Sequence, residues 1–262
     1  EVLAFILVPA GHAGANKELL HNLELPYQAV TSTDLYLTHY LNDSANDPVM
    51  NRIRAQKLRN SEEDKVKIFF VPSYLNGDDG VFNMPYYDLL VGMDLTAFPS
   101  YYEPWGYTPL ESLAFKVPTI TTTLAGFGLW VKEHYNMNHP GIEVIHREDG
   151  DASNVATAIA EWVKNYTQVG ETEMQKDRDN AKDVSRIALW DNLINYYKQA
   201  YTIALNQVSV RLKDLPANMN ESVSYIEKQL TVNNPSWVSV MIHRSIPEKL
   251  IALEELSKNL WW

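Results

Sequence analysis

The residues best placed for chemistry lie in one stretch, Phe98-Pro99-Ser100-Tyr101-Tyr102-Glu103-Pro104-Trp105-Gly106-Tyr107-Thr108-Pro109-Leu110-Glu111. Glu103 and Glu111 stand on either side of a tight Pro-Trp-Gly turn that runs into a predicted helix. Two accounts of the pair are open. In the first, Thr108 is the N-cap, Pro109 the first helical residue and Glu111 the third, so Thr-Pro-Leu-Glu forms a capping box whose side chains satisfy backbone amides and do nothing more. In the second, the helix N-terminus after Gly106 presents free amides and a positive dipole end, which suits a diphosphate. One carboxylate then faces a sugar while the other reaches a ribose. Capping boxes are common, so spacing alone favours the first account.

The elements that must position this stretch alternate along the chain. Strand-length apolar runs occur at Val2–Val8, Leu35–Tyr40, Val66–Val71, Leu95–Phe98, Thr119–Thr122 and Ile142–His146. They are short, unalternating and rich in β-branched and aromatic residues, as expected of parallel strands covered on both faces. Helical periods fall between them, at Asp47–Leu58 and Tyr86–Gly92. A later one, Ser153–Tyr166, puts Val155, Ile159, Trp162, Val163 and Tyr166 on one face. Another near Trp190–Leu205 aligns Trp190, Leu193, Ile194, Tyr197 and Tyr201. The alternation predicts an α/β fold, a Rossmann-like doubly wound parallel sheet, with ligands at the carboxyl ends of its strands. Residues 1–205 form that domain, 206–235 read as a linker, and a further segment, 236–262, contains a helix start at Ile246-Pro247-Glu248-Lys249-Leu250. Both ends look like cuts through a longer chain, since the first strand has no lead-in and Leu260-Trp261-Trp262 would be left exposed.

Composition narrows the function classes. The 262 residues carry 22 Lys and Arg against 33 Asp and Glu, a net charge of −11, which disfavours nucleic acid held by bulk electrostatics. The absence of cysteine removes disulfides, thiolate metal sites and cysteine nucleophiles, and fits a cytoplasmic location. No apolar run is long enough to span a membrane. The histidines show no metal-ligand spacing, and Gly11-His12-Ala13-Gly14 lacks the Walker lysine and three-glycine pattern, so it reads as a plain turn. No metal and no cofactor is expected.

The string Tyr101-Tyr102-Glu103-Pro104-Trp105-Gly106-Tyr107-Thr108-Pro109 closely resembles the fungal and animal type of glycogen synthase, with the glutamate pair at the same spacing. Upstream, Ala45-Asn46-Asp47, Asn51-Arg52-Ile53-Arg54 and Asp64-Lys65-Val66-Lys67-Ile68-Phe69-Phe70 continue the likeness. Downstream it extends through Pro118-Thr119-Ile120-Thr121-Thr122 and Gly126-Phe127-Gly128, so it covers roughly residues 1–205. The resemblance implies the C-terminal, nucleotide-sugar half of a two-domain GT-B enzyme. Such enzymes transfer glucose from UDP-glucose, or ADP-glucose, to the 4-hydroxyl of an α-glucan acceptor with retention. It casts Glu103 as the catalytic carboxylate beside the transferred glucose. Trp105, Gly106 and Tyr107 become the turn approaching glucose and diphosphate. Thr108 becomes a phosphate contact, Glu111 the ribose carboxylate, and Tyr86 and Tyr74 the aromatic residues at the uracil. With Glu111 assigned to a ribose, the two carboxylates do not flank one glycosidic bond as covalent glycosidase chemistry requires. A front-face displacement aided by charge stabilisation at the diphosphate fits better.

Three departures from the family pattern shape the expectations. The N-terminal acceptor domain and the family's Arg and Lys segment before the first strand are missing, so weak or absent activity is expected of this piece alone. Glu171-Thr172-Glu173-Met174-Gln175-Lys176-Asp177-Arg178-Asp179 stands where eukaryotic members carry an arginine-rich helix that senses glucose-6-phosphate, so no activation by that effector is expected. The tail resembles the opening of an α-glucan phosphorylase, a fusion that points to a bacterial source. A different class of function, a non-catalytic regulatory or glucan-binding module attached to a phosphorylase, is opposed by the intact Glu103 and Glu111. The sequence leaves the oligomeric state open, with room for an oligomer.

Overall fold

The computed structural model describes residues 1–25, 36–58, 60–135 and 141–213, with side chains described to residue 208. Of the expected linker, 206–235, residues 206–213 are helical rather than linker; the rest of it and the phosphorylase-like tail lie outside the described residues. The chain divides into two compact units, Glu1–Leu189 and Trp190–Trp262.

In the first unit, β1 (Val2–Leu7) and β4 (Val66–Val71) pair in parallel, Val2 opposite Val66 through Leu7 opposite Val71. Their continuous apolar runs leave room for Phe5 and Phe69 to stack across the pair at 5.7 Å. The segment before β3 (His39–Leu41) runs along the other edge of β4, where Phe70 N–H donates to Tyr36 O at 2.6 Å and Thr38 N–H to Phe70 O at 3.0 Å. Phe70, fully buried, anchors a core with Tyr36, Met50 and Ile53. β3 turns away to pair antiparallel with β2 (His12–Ala15). This corrects the reading of Gly11-His12-Ala13-Gly14 as a plain turn. The backbone of that segment finds its partner in a strand far along the chain, and no local pattern announces it.

A second parallel group orders β5 (Thr96–Ala97), β6 (Thr119–Thr122) and β7 (Ile142–Ile145). Every residue of β6 is buried, as expected of a strand covered on both faces. The described ladders are therefore two parallel groups and an antiparallel ribbon, rather than one continuous ladder. The helices are α1 (Lys17–Glu24), α2 (Pro48–Ala55), α3 (Tyr86–Val91), α4 (Tyr107–Ala114), α5 (Gly126–His134), α6 (Ala152–Tyr166) and α7 (Glu171–Ile187). Asp47 caps α2 by accepting from Met50 N–H at 2.8 Å, with Pro48 in the first turn, so the helix predicted over Asp47–Leu58 begins one residue later. Leu113 of α4, Phe127 and Val131 of α5, and Ala181 and Val184 of α7 share one core with β7. Within the second parallel group, the β5–α4 and β6–α5 loops both leave from strand carboxyl ends, and the β4–α3 loop leaves from the carboxyl end of β4.

In the second unit, the described part is α8 (Trp190–Lys213). Trp190 and Tyr197, predicted to share a face, lie with ring centroids 5.0 Å apart.

Candidate active site

The Glu103 loop is held by its backbone. Glu103 N–H donates to Leu124 O at 3.1 Å, Gly126 N–H returns to Glu103 O at 3.1 Å, and Phe127 N–H donates to Trp105 O at 2.6 Å. The loop after β5 is therefore stitched to the loop that starts α5, two connections that sequence separates by more than a full helix. The close approach demands glycine at 126: a Cβ there would sit 2.1 Å from Pro104 O. Trp105 packs edge-on against Phe127 at 5.8 Å and beside Trp130 at 5.9 Å, which anchors the turn to the core. Thr122 Oγ1 donates to Ser100 O at 2.7 Å, fixing the start of the same loop to β6.

Gly106 is buried and left-handed, φ 99°, and it is the N-cap of α4. This corrects the expected capping box. The glycine turn starts the helix two residues early, so Thr108 occupies the second helical position and Pro109 the third. Glu111 then lies too far into the helix to reach back to the cap amide, and no side chain caps α4. The α4 N-terminus keeps its positive dipole end and has no side-chain acceptor. Glu103 leans over this end: a Cβ on Gly106 would lie 3.4 Å from Glu103 Cγ and 3.4 Å from Pro109 Cγ. Glu103, Tyr107 and Thr108 are exposed there.

Glu111, released from capping, turns toward α3. Its charge, and then its hydrogen-bonding contact with the Tyr87 hydroxyl, raise the Tyr87 ionisation above the usual tyrosine range. Tyr86 is raised too, first by burial and then by Glu111. The Glu111 carboxylate and the tyrosine pair are one cluster, with Tyr86 and Tyr87 centroids 5.4 Å apart. Tyr86 is tied in turn to the loop bearing Tyr74, because Tyr86 N–H donates to Leu75 O at 2.9 Å. Tyr74 is 76% exposed and Tyr86 half-buried.

Asp79 shapes that loop. Its carboxylate accepts from the amides of Val81, Phe82 and Asn83, each at 2.9 Å. Burial works to raise its pKa, but those amides outweigh burial and hold the carboxyl below the ordinary aspartate range. Buried His39 fixes the loop from below, with its Nε2 2.8 Å from Asp79 O and its Nδ1 2.9 Å from Thr38 Oγ1.

α4 is seated by hydroxyls. Ser112 Oγ, next to Glu111 in sequence, lies 2.7 Å from Thr96 Oγ1 of β5 and 2.9 Å from Thr119 Oγ1 of β6. Ser112 and Thr119 are fully buried. Their network sets the rotation of α4 and hence the direction of Glu111.

The structure thus gathers the eight predicted site residues into two neighbouring groups. Glu103, Trp105, Gly106, Tyr107 and Thr108 gather at the α4 N-terminus, and Glu111 lies with Tyr86 near the Tyr74 loop. Tyr87, Asp79 and Gly126 were not foreseen. Tyr87 adjoins Tyr86, and the Asn76-Gly77-Asp78-Asp79-Gly80 turn signal marks the Asp79 loop. Nothing local marks Gly126 as a close approach. Among the described residues no group of His, Asp and Glu has the arrangement of a metal site, and no helix is long and apolar enough to cross a membrane.

An α/β domain with parallel strands and a helix N-terminus beside two carboxylates and an aromatic pair has the architecture of a Rossmann-like ligand-binding domain. The chain belongs to the glycogen synthase family, whose model matches residues 21–249. It is 30% identical over 174 residues to glycogen [starch] synthase isoform 1 of Saccharomyces cerevisiae, covering 65% of this chain and 25% of that protein. Against the Caenorhabditis elegans glycogen [starch] synthase it is 32% identical over 195 residues, 73% of this chain and 28% of that protein. Against the Mus musculus liver glycogen [starch] synthase it is 30% identical over 171 residues, 65% and 24%. The chain spans about a quarter of the length of the curated relatives it matches.

Proposed function

We propose that these residues form the nucleotide-sugar half of a retaining glucosyltransferase of the glycogen synthase type. It transfers glucose from UDP-glucose to the 4-hydroxyl of an α-1,4-glucan in a GT-B enzyme acting in the cytoplasm. The observation that carries the reading is the α4 N-terminus. A left-handed glycine replaces the capping box, so the dipole end has no side-chain acceptor and Glu111 is turned away from capping. A diphosphate bound there meets positive partial charge. Glu103, leaning over Gly106, sits beside the sugar attached to that diphosphate, where a carboxylate stabilises an oxocarbenium-like transition state. Glu111 accepts from ribose hydroxyls, and Tyr86 and Tyr74 border the base. The glucan and further donor-phosphate contacts are assigned to other parts of the enzyme, since the match covers only about a quarter of the relatives' length. These residues by themselves are expected to transfer glucose weakly or not at all, and without stimulation by glucose-6-phosphate.

The test is calorimetric titration with UDP, ADP as the comparison. Saturable UDP binding, weakened about tenfold or more by Glu111→Ala and by Tyr86→Ala, supports the reading. A folded protein that binds no UDP, or variants that bind as tightly as the parent, would overturn it.

A further inference from the structure

The packing of α3 on α4 carries an inference that rests on the donor-site reading above. Tyr87 stacks nearly flat on Phe115, centroids 5.2 Å apart and planes 21° apart. Phe115 follows Glu111 by one helical turn, with Phe115 N–H donating to Glu111 O at 3.0 Å, so the two side chains are neighbours on α4. The Tyr87 ring stacked on Phe115 therefore lies within one helical turn of Glu111 on α4, close enough for the Glu111 charge to be the first cause of the raised Tyr87 ionisation. Tyr86 completes the group, its ring tilted against Tyr87 with centroids 5.4 Å apart.

We propose that Tyr87 is a positioning residue for nucleotide binding: its hydroxyl donates to Glu111 and fixes the carboxylate in the orientation that receives ribose hydroxyls. The chemistry favours this role over simple packing. An ionised carboxylate has about four lone-pair sites on two oxygens, so one tyrosine hydroxyl leaves capacity for a diol. A half-exposed glutamate samples several rotamers, and fixing one before the ligand arrives removes that ordering cost from binding. Tyr87 and Phe115 are themselves 43% and 41% exposed, more than core packing alone calls for.

The experiment is calorimetry with UDP and with 2′,3′-dideoxy-UDP on the parent, Tyr87→Phe, Glu111→Gln and the double variant. Tyr87→Phe keeps the ring on Phe115 and removes only the hydroxyl. It should weaken UDP about 2- to 10-fold, the range of one net hydrogen bond, leave dideoxy-UDP unchanged, and add nothing in the Glu111→Gln background. Equal losses for both nucleotides would assign Tyr87 a merely structural role and overturn the proposal. So would a Tyr87→Phe protein that binds UDP like the parent while Glu111→Gln weakens it. If Glu111→Gln leaves UDP binding intact, the donor-site reading itself fails and the inference falls with it. A ligand-free measurement tests the contact directly: the Tyr87 ring-carbon NMR titration midpoint should drop in Glu111→Gln, and an unmoved midpoint refutes the hydroxyl–carboxylate contact.

Discussion

Replacing Gly126 with alanine should displace the Glu103 loop while leaving the core beneath it folded. The added Cβ would lie 2.1 Å from Pro104 O, 3.1 Å from Pro104 C and 3.4 Å from Trp105 Cα. Nonbonded heavy atoms settle at about 3.5 Å, so the Pro104 segment must retreat by on the order of 1.4 Å. No flexible side chain can yield in its place, because the clashing atoms are backbone. The retreat strains the bonds from Glu103 N–H to Leu124 O, Gly126 N–H to Glu103 O and Phe127 N–H to Trp105 O. Overpacking of this kind costs about 1–3 kcal/mol, and each backbone bond lost adds about 1 kcal/mol. For a unit of this size each kcal/mol lowers Tm by about 2–4 °C. The assay is thermal and urea unfolding beside Gly170→Ala, a position with nothing within 4 Å, followed by UDP titration of both variants. In a reconstituted full-length enzyme, a 1 Å shift of Glu103 should lower kcat about 100-fold. A Gly126→Ala protein that melts with the parent and binds UDP equally would refute the stitched-loop account.

Ser112→Ala should cost about 1–3 kcal/mol in urea unfolding, because Thr96 and Thr119 lose a buried partner, and it should weaken UDP binding by freeing the rotation of α4. Asp79→Ala should cost about 1–3 kcal/mol, since three amides lose their acceptor. The Asp79 carboxyl is held below its ordinary value in the folded state, so its contribution is complete above the ordinary range. The gap between parent and variant should therefore close as pH falls through the depressed value. Asp177 behaves oppositely. Burial, then the charge of Glu173, raise its pKa, and its Oδ1 has no hydrogen-bond partner. Asp177→Asn should stabilise the protein at neutral pH. The advantage should shrink on acidification, as the folded parent takes up its proton before the unfolded chain does, and a pH series of denaturation midpoints checks both signs.

The sequence by itself determined the elements whose causes are local. Val66–Val71 and Thr119–Thr122 are strands because their β-branched and aromatic runs suit a doubly covered sheet, and both bounds match the structure. α2 begins at Pro48, one residue into its predicted span, and α6 follows its apolar period. α5 was missed although Phe127, Trp130, Val131 and His134 carry a helical spacing, because Gly126 and Gly128 mask it; both are there for close backbone approach. The Tyr101–Glu111 string carried the family resemblance, though not the geometry that the loop adopts.

Tertiary structure decided which use of Thr108 and Glu111 prevails. A capping box and a left-handed glycine cap are both compatible with Gly-Tyr-Thr-Pro-Leu-Glu. The choice depends on Trp105 packing against Phe127 and Trp130, and on the backbone bonds to residues 124–127, which together set where the chain enters α4. The same holds for the strand pairing of His12–Ala15 and for the meeting of Tyr87 with Glu111. Each joins residues more than twenty positions apart. Local propensity acts over one or two helical turns, so only the folded chain brings such partners together.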